Sequence, residues 1–359
     1  MTFTMSILAR EITAAIAACA QIVDSHSQIP ILRCTRIAIA DGMASFTATN
    51  TDQSVVAKAA CDGAGIICVD TAALSAKVQT LKPDAVISFV GDGKSVTITQ
   101  GRTRWIIPLL NPDDFPFAQV ASQLDGEPIE MDAATIASLA VARGAVLPGA
   151  PSNYAGVWID GGHIVAVDGR QMRILKGIDG PSCVLPHVAI DKIVAMFKDD
   201  GARVRVSESA AQFTSATLLL KTKLMEAKPS DWRAGLTRFD SQSVNVCTVD
   251  AELFMQACKR AAAIQASGEK AGSFINMQVK FRDDRIDILT RNREGEEGND
   301  AVECMGGANS DVGVNGGLLI AALDTLSGRI EVRYGVPRDA VIMRDASGSV
   351  RVVFPRIFS

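Results

Sequence analysis

Three stretches with helical apolar spacing recur along the chain at a domain-sized interval. SILAREITAAIAACAQIVD starts at Ser6, MDAATIASLAVARGAVLPG at Met131 and VDAELFMQACKRAAAIQAS at Val249, so the starts lie roughly 120 residues apart. Solenoid units are only about 20–50 residues long, and this longer period therefore marks whole domains. Each stretch opens with a Ser or Asp suited to cap a helix.

A second helical signal follows in each unit: VDTAALSAKVQTLKPD from Val69, LPHVAIDKIVAMFKDDG from Leu185 and GVNGGLLIAALDTLSGR from Gly313. Each stops at Pro or Gly and runs into a two-strand alternation; further alternating runs lie between the two helices. The order helix, strands, helix, strands with hairpin connections predicts an α+β chain of antiparallel sheets with helices on one face. Boundaries are expected in the polar stretches Ser122 to Glu127 and Arg238 to Ser243, which gives domains 1–122, 123–243 and 244–359. Such a repeat fits either duplication that enlarged a scaffold or quasi-equivalent domains that close a ring, and the pattern alone does not choose.

GDGKS, Gly91 to Ser95, ends like a phosphate-binding loop. That loop needs a further Gly where Ser88 stands, and a helix leading out. VISFV precedes it and VTITQ follows, both alternating, so the glycines are read as the tip of a β-hairpin.

The balance of 36 Lys+Arg against 40 Asp+Glu, a net charge of −4, argues against a tight static nucleic-acid binder; any such affinity must come from a local basic face. The eight cysteines form no CxxC pair and no zinc spacing with His26, His163 or His187, so they are read as reduced core thiols of a cytoplasmic protein, with no metal or cofactor. No apolar run approaches a membrane span, and no Ser-His-Asp order or paired carboxylates suggest a catalytic residue.

Short motifs in the right order resemble one family along nearly the whole chain. IPILRCTRIAIADGMASFTATNTDQSV, NPDDFP (Asn111 to Pro116), VDGRQM from Val167, KPSDWR from Lys228, CKRAAAI from Cys258 and the terminal VVFPRIFS are similar to segments of the bacterial sliding clamp, the beta subunit of DNA polymerase III. The resemblance implies three clamp-fold domains with antiparallel sheets outside and helices lining a ring. It also implies a non-catalytic homodimer that encircles and slides on duplex DNA, tethers polymerases through short peptide motifs, and is opened by a loader. Weak, salt-sensitive phosphate contacts suit sliding.

Under that resemblance Arg10, Lys77, Lys82, Arg143, Lys192, Lys198, Lys259, Arg260 and Lys270 face DNA. Tyr154, Val167, Gly169, Arg170, Met172 and Pro229 form one side of the peptide groove, with Asn315, Leu318, Val352, Val353, Phe354, Pro355 and Arg356 on the other. The ring seam sets Arg102, Arg104, Trp105 and Ile107 against Ile264, Glu294, Glu296 and Glu297. Each set has a plainer structural reading: solvated helix surface, strand core, or a hairpin aromatic.

The chain departs from the family pattern at several positions. Val167 and Arg170 replace Thr and His, Ala234 replaces an arginine, and Arg-Ile-Phe-Ser follows Pro355. These changes make the groove edge bulkier and more basic, as expected of a divergent, plasmid, phage or accessory clamp with altered partners. A reading from a different class, an enzyme on a duplicated scaffold, would show clustered titratable residues in a cleft.

Overall fold

The computed structural model describes residues 3–117, 120, 122–147, 154–227, 231–264, 275–292 and 295–356. Among them are twenty-four strands and seven α-helices: α1 (Ala9–Ala20), α2 (Thr71–Val78), α3 (Ala133–Arg143), α4 (His187–Phe197), α5 (Trp232–Gln242), α6 (Ala251–Ala262) and α7 (Gly316–Leu323). Strand pairing is antiparallel throughout. The chain packs as two compact units, residues 1–136 with 188–224, and residues 137–187 with 225–359.

The first unit holds one twelve-stranded sheet. Within it Gln53–Ala60 pairs with Leu218–Lys223, Gln53 opposite Thr222 and Ala57 opposite Leu218, so segments far apart in sequence share one ladder. Helices α1 and α2 pack on each other, and the Thr13 hydroxyl donates to the Val78 carbonyl at 3.3 Å. Ile12, Ile16 and Cys19 of α1 are buried with Phe46 and Phe89, an apolar stripe at helical spacing facing alternate strand positions.

The second unit holds an eight-stranded and a four-stranded sheet. In the larger, Gln171–Lys176 pairs with Val350–Val353, with Gln171 opposite Val353 and Met172 opposite Val352. One core gathers Phe254, Phe281, Tyr334 and Val353; a second gathers Trp158, Val167, Met172, Ile174, Trp232 and Val352.

Of the three caps expected from sequence, those at Asp132 and Asp250 hold, and Asp70 caps α2 in the same way. Asp70, Asp132 and Asp250 accept amides of α2, α3 and α6 at 2.8, 2.8 and 3.0 Å. Ser6 does not cap α1: it lies in the strand Phe3–Leu8, and the amides of Ala9 and Arg10 instead donate to the carbonyls of Ala85 and Pro83, each at 2.9 Å. A backbone loop satisfies orphan donors as well as a side chain does.

GDGKS is the tip of a hairpin joining Val86–Gly91 to Ser95–Gln100. The Asp92 carboxylate accepts the Lys94 and Ser95 amides at 2.9 and 2.7 Å, which holds its pKa below the ordinary value, and Gly93 takes φ +89°.

Helix α5 is the element that the sequence reading missed, since its residues are polar and look like a linker. Tertiary anchors hold it instead: Asp231 caps Ala234 N at 3.0 Å, Trp232 Nε1 donates to Asp160 at 3.0 Å, and Asp240 accepts from Arg344 at 2.7 Å.

Candidate functional site

The turn before strand Gln171–Lys176 is built by one side chain. Asp168 Oδ1 accepts the amides of Arg170 (2.8 Å) and Gln171 (2.9 Å), and Gly169 sits at φ +80° with open space where a Cβ would be. The Arg170 carbonyl accepts Phe354 N at 2.9 Å, which draws the C-terminal strand against the turn. Beyond it, Pro355 bridges to Val314 and Arg356 N donates to the Gly313 carbonyl at 2.7 Å. On the rim, Arg170 reaches Asp168 at 3.4 Å.

Five of the expected groove residues meet on one sheet face. Val167, Met172 and Val352 are buried as its floor, and half-buried Tyr154 and Phe354 pack against the same cluster; Phe354 lies 5.2 Å from Phe239 of α5, ring centre to ring centre. Val353 does not join them. Alternation along the strand turns it to the opposite face, into the core around Phe254. Leu318 packs on that Phe254 core too, and Asn315 caps α7 by accepting Gly317 N at 3.0 Å. Pro229 lies outside the described residues.

Two buried arginines stand behind this floor. Arg173 and Arg351 lie opposite each other across the ladder, 4% and 1% exposed. Arg173 donates to the carbonyls of Val141 (2.8 Å) in α3 and Ala321 (3.3 Å) in α7; Arg351 donates to Thr325 Oγ1 (2.8 Å) and to the Thr325 carbonyl (3.2 Å). Both therefore sit on the negative ends of helices. Burial and then the neighbouring Arg173 charge lower the Arg351 pKa to about 10, and burial likewise lowers that of Arg173.

Of the helix cations, Lys82 and Lys198 are exposed, and Lys77 donates to the Ala73 carbonyl at 3.1 Å. Several meet carboxylates of their own chain: Arg10 with Asp84 at 2.6 Å, Lys259 with Asp324 at 3.7 Å, Arg260 with Asp300. Lys192 is half-buried and donates to Gln53; burial lowers its pKa. Arg143 is half-buried at the end of α3, and Lys270 lies outside the described residues.

The expected seam residues fall on two strand edges. Among the described residues, Thr103–Leu110 pairs over Thr103–Pro108 only with Ser95–Gln100, and Glu297–Glu303 pairs only with Arg285–Arg291. Arg102 and Arg104 are exposed and Trp105 half-buried, whereas Ile107 is 3% exposed and points into the core. Its neighbour Ile106, 58% exposed, takes the outward position by alternation. Glu297 is exposed and reaches Arg291 at 3.6 Å, Glu296 accepts from Asn292 at 2.6 Å, and the half-buried Ile264 presents its carbonyl to Asn292 at 3.4 Å. Glu294 lies outside the described residues.

Known proteins resemble this chain in sequence and in fold. Residues 1–119 match the DNA polymerase III beta subunit, N-terminal domain. The chain is 24% identical over 348 residues to the beta sliding clamp of Caulobacter vibrioides, covering 90% of this chain and 91% of that protein. In structure it matches the sliding clamp of Bacillus subtilis with TM-score 0.89 at 17% identity, covering 100% of both chains. The Pseudomonas aeruginosa clamp bound to griselimycin matches equally, with TM-score 0.89, 17% identity and 100% of both chains covered. The chain is thus similar to beta sliding clamps along nearly its whole length, and its first third matches the N-terminal domain of that subunit.

Its fold is the α+β clamp fold, and its sequence diverges widely from these clamps. No group of three His, Cys, Asp or Glu able to hold a metal occurs among the described residues, and no helix among them is long and apolar enough to cross a membrane. All eight cysteines are free and buried, and burial raises their thiol pKa values, to about 12 for Cys19 and Cys183, as befits inert core residues. Sequence reasoning did not single out α5, Ile106 or the Arg173–Arg351 pair. Only Ile106 carried a usable signal, the strand's own alternation.

Proposed function

We propose that two copies of this chain join head to tail through the open edges at Thr103–Pro108 and Glu297–Glu303, forming a ring that encircles duplex DNA. In this reading the chain comprises domains 1–122, 123–243 and 244–359. Similarity to beta sliding clamps along nearly the whole chain supports a non-catalytic DNA polymerase processivity factor. The observation that carries the reading is the end-to-end correspondence with sliding clamps at TM-score 0.89. Exposed Arg102 and Arg104 on one edge complement exposed Glu297 and Glu303 on the other, and unpaired strand edges invite such addition.

Polymerase and loader peptides dock against the half-buried Tyr154 and Phe354, which rest on the buried Val167, Met172 and Val352, with Arg170 and Asp168 at the rim. Since Arg10, Lys259 and Arg260 are already matched by carboxylates, contact with phosphates is weak and carried by the exposed Lys82 and Lys198.

The test combines sedimentation with loading onto nicked circular DNA. The chain is expected to sediment as a dimer, to stay on the circle through a salt wash, and to leave when the circle is linearised. A monomer at all concentrations, or equal retention on linear DNA, contradicts the ring.

A further inference from the structure

The groove-building turn of the second unit has a twin in the first. Asn50 Oδ1 accepts the amides of Asp52 (3.2 Å) and Gln53 (2.8 Å), as Asp168 does for Arg170 and Gln171. Thr51 holds φ +77° where Gly169 holds +80°, an unusual angle for a β-branched residue. The Asp52 carbonyl accepts Lys223 N at 2.9 Å, as Arg170 accepts Phe354 N. Matching the turns residue for residue maps Thr47 on Val165, Val56 on Ile174 and Leu219 on Val350.

In the second unit Trp232, Leu236 and Phe239 of α5 pack over this face. In the first the corresponding cover is Phe117 and Val120, and a cavity of about 330 Å³ remains beneath it. Val56, Leu218 and Leu219 supply apolar wall. The Arg36 guanidinium lies 4.1 Å from the centre of the Phe117 ring, and Lys58 is exposed beside it. Neither is ion-paired among the described residues, and no Asp or Glu lines the cavity. The wholly buried Thr47, also in the lining, has a hydroxyl with no hydrogen-bond partner among the described residues.

An apolar wall, two unneutralised cations and one unmet hydroxyl together call for a ligand with an apolar group next to a carboxylate. We propose that this cavity binds a short acidic–apolar peptide, as a second peptide site on the chain. The peptide class rests on the reading of the twin groove; the acidic requirement rests on Arg36, Lys58 and Thr47 alone.

The test is calorimetric titration of the full chain with acetyl-Leu-Asp-Leu-Phe-amide. Two sites per chain are expected. Lys58→Glu, and separately Arg36→Ala, should weaken one of them tenfold or more and leave the other unchanged, with Thr47→Val weakening that same site. Phe354→Ala should remove the other. Replacing Asp by Asn in the peptide should weaken binding selectively at the Lys58 site. A single site insensitive to Lys58→Glu overturns the proposal, as does equal binding of the Asn peptide at the Lys58 site. So does displacement from that site by inorganic phosphate at the peptide's own concentration, which would show a plain anion site. Loss of the Phe354 site alone would count against the groove and leave this cavity standing.

Discussion

Arg173 and Arg351 face each other with no carboxylate in contact among the described residues, an arrangement whose charge repulsion is offset by four carbonyl or hydroxyl partners on helix ends. Methionine at either position relieves the repulsion, and methionine at both relieves it only once. The double variant is therefore expected to be destabilised by about 1 kcal/mol more than the sum of the single variants, measured by urea unfolding. Thr47 presents the opposite case. Its buried hydroxyl has no partner in the free chain, so Thr47→Val should raise unfolding stability by about 1 kcal/mol, while weakening the acidic peptide. A side chain that costs stability when empty and helps when filled separates a binding residue from a packing one.

At the scale of elements, α5 depends on Asp160. That carboxylate accepts Ser182 Oγ at 2.6 Å, Trp232 Nε1 and Arg233, and these donors lower its pKa to about 2 from 3.8. Because the folded pKa is depressed, the stabilisation is present above about pH 4 and is lost as pH falls toward 2. Asp160→Asn should flatten the acid limb of a stability-against-pH curve and loosen α5, seen as faster amide exchange across Trp232–Gln242. Asn315 offers a cleaner division of roles. As the cap of α7 its replacement by Ala should cost about 1 kcal/mol of stability, with groove peptide affinity unchanged; a residue that touched peptide would lose affinity instead.

These elements also show what the sequence could reveal. The hairpin at GDGKS and the helices opened by Asp70, Asp132 and Asp250 announce themselves through local chemistry, since cap and turn residues act within three or four positions. Helix α5 does not: its few apolar positions mean little until Asp160, Arg344 and Phe354 are brought beside them from afar. The residues of the proposed groove can be read from sequence as segments but not by face: Val353 was expected beside Val352, yet one residue of strand turns a side chain to the other side. Alternation likewise turns Ile107, expected at the seam, inward and Ile106 outward.

For the whole molecule, the seam charges give a direct test. Arg104→Glu should shift the dimer dissociation constant upward by tenfold or more in sedimentation at low salt, and adding Glu297→Arg should recover part of the loss. If reversal at Arg104 left the constant unchanged, the Thr103–Pro108 edge would not be the contact.

The ladder between Gln53–Ala60 and Leu218–Lys223 has a further consequence for anyone who cuts the gene. A fragment ending near residue 122 would be stripped of the strand that covers Val55 and Ala57, baring a long hydrophobic margin ready to seize a neighbour. Isolated thirds of this chain should consequently precipitate or swap strands, so the repeat visible in its letters is not a set of separable bricks.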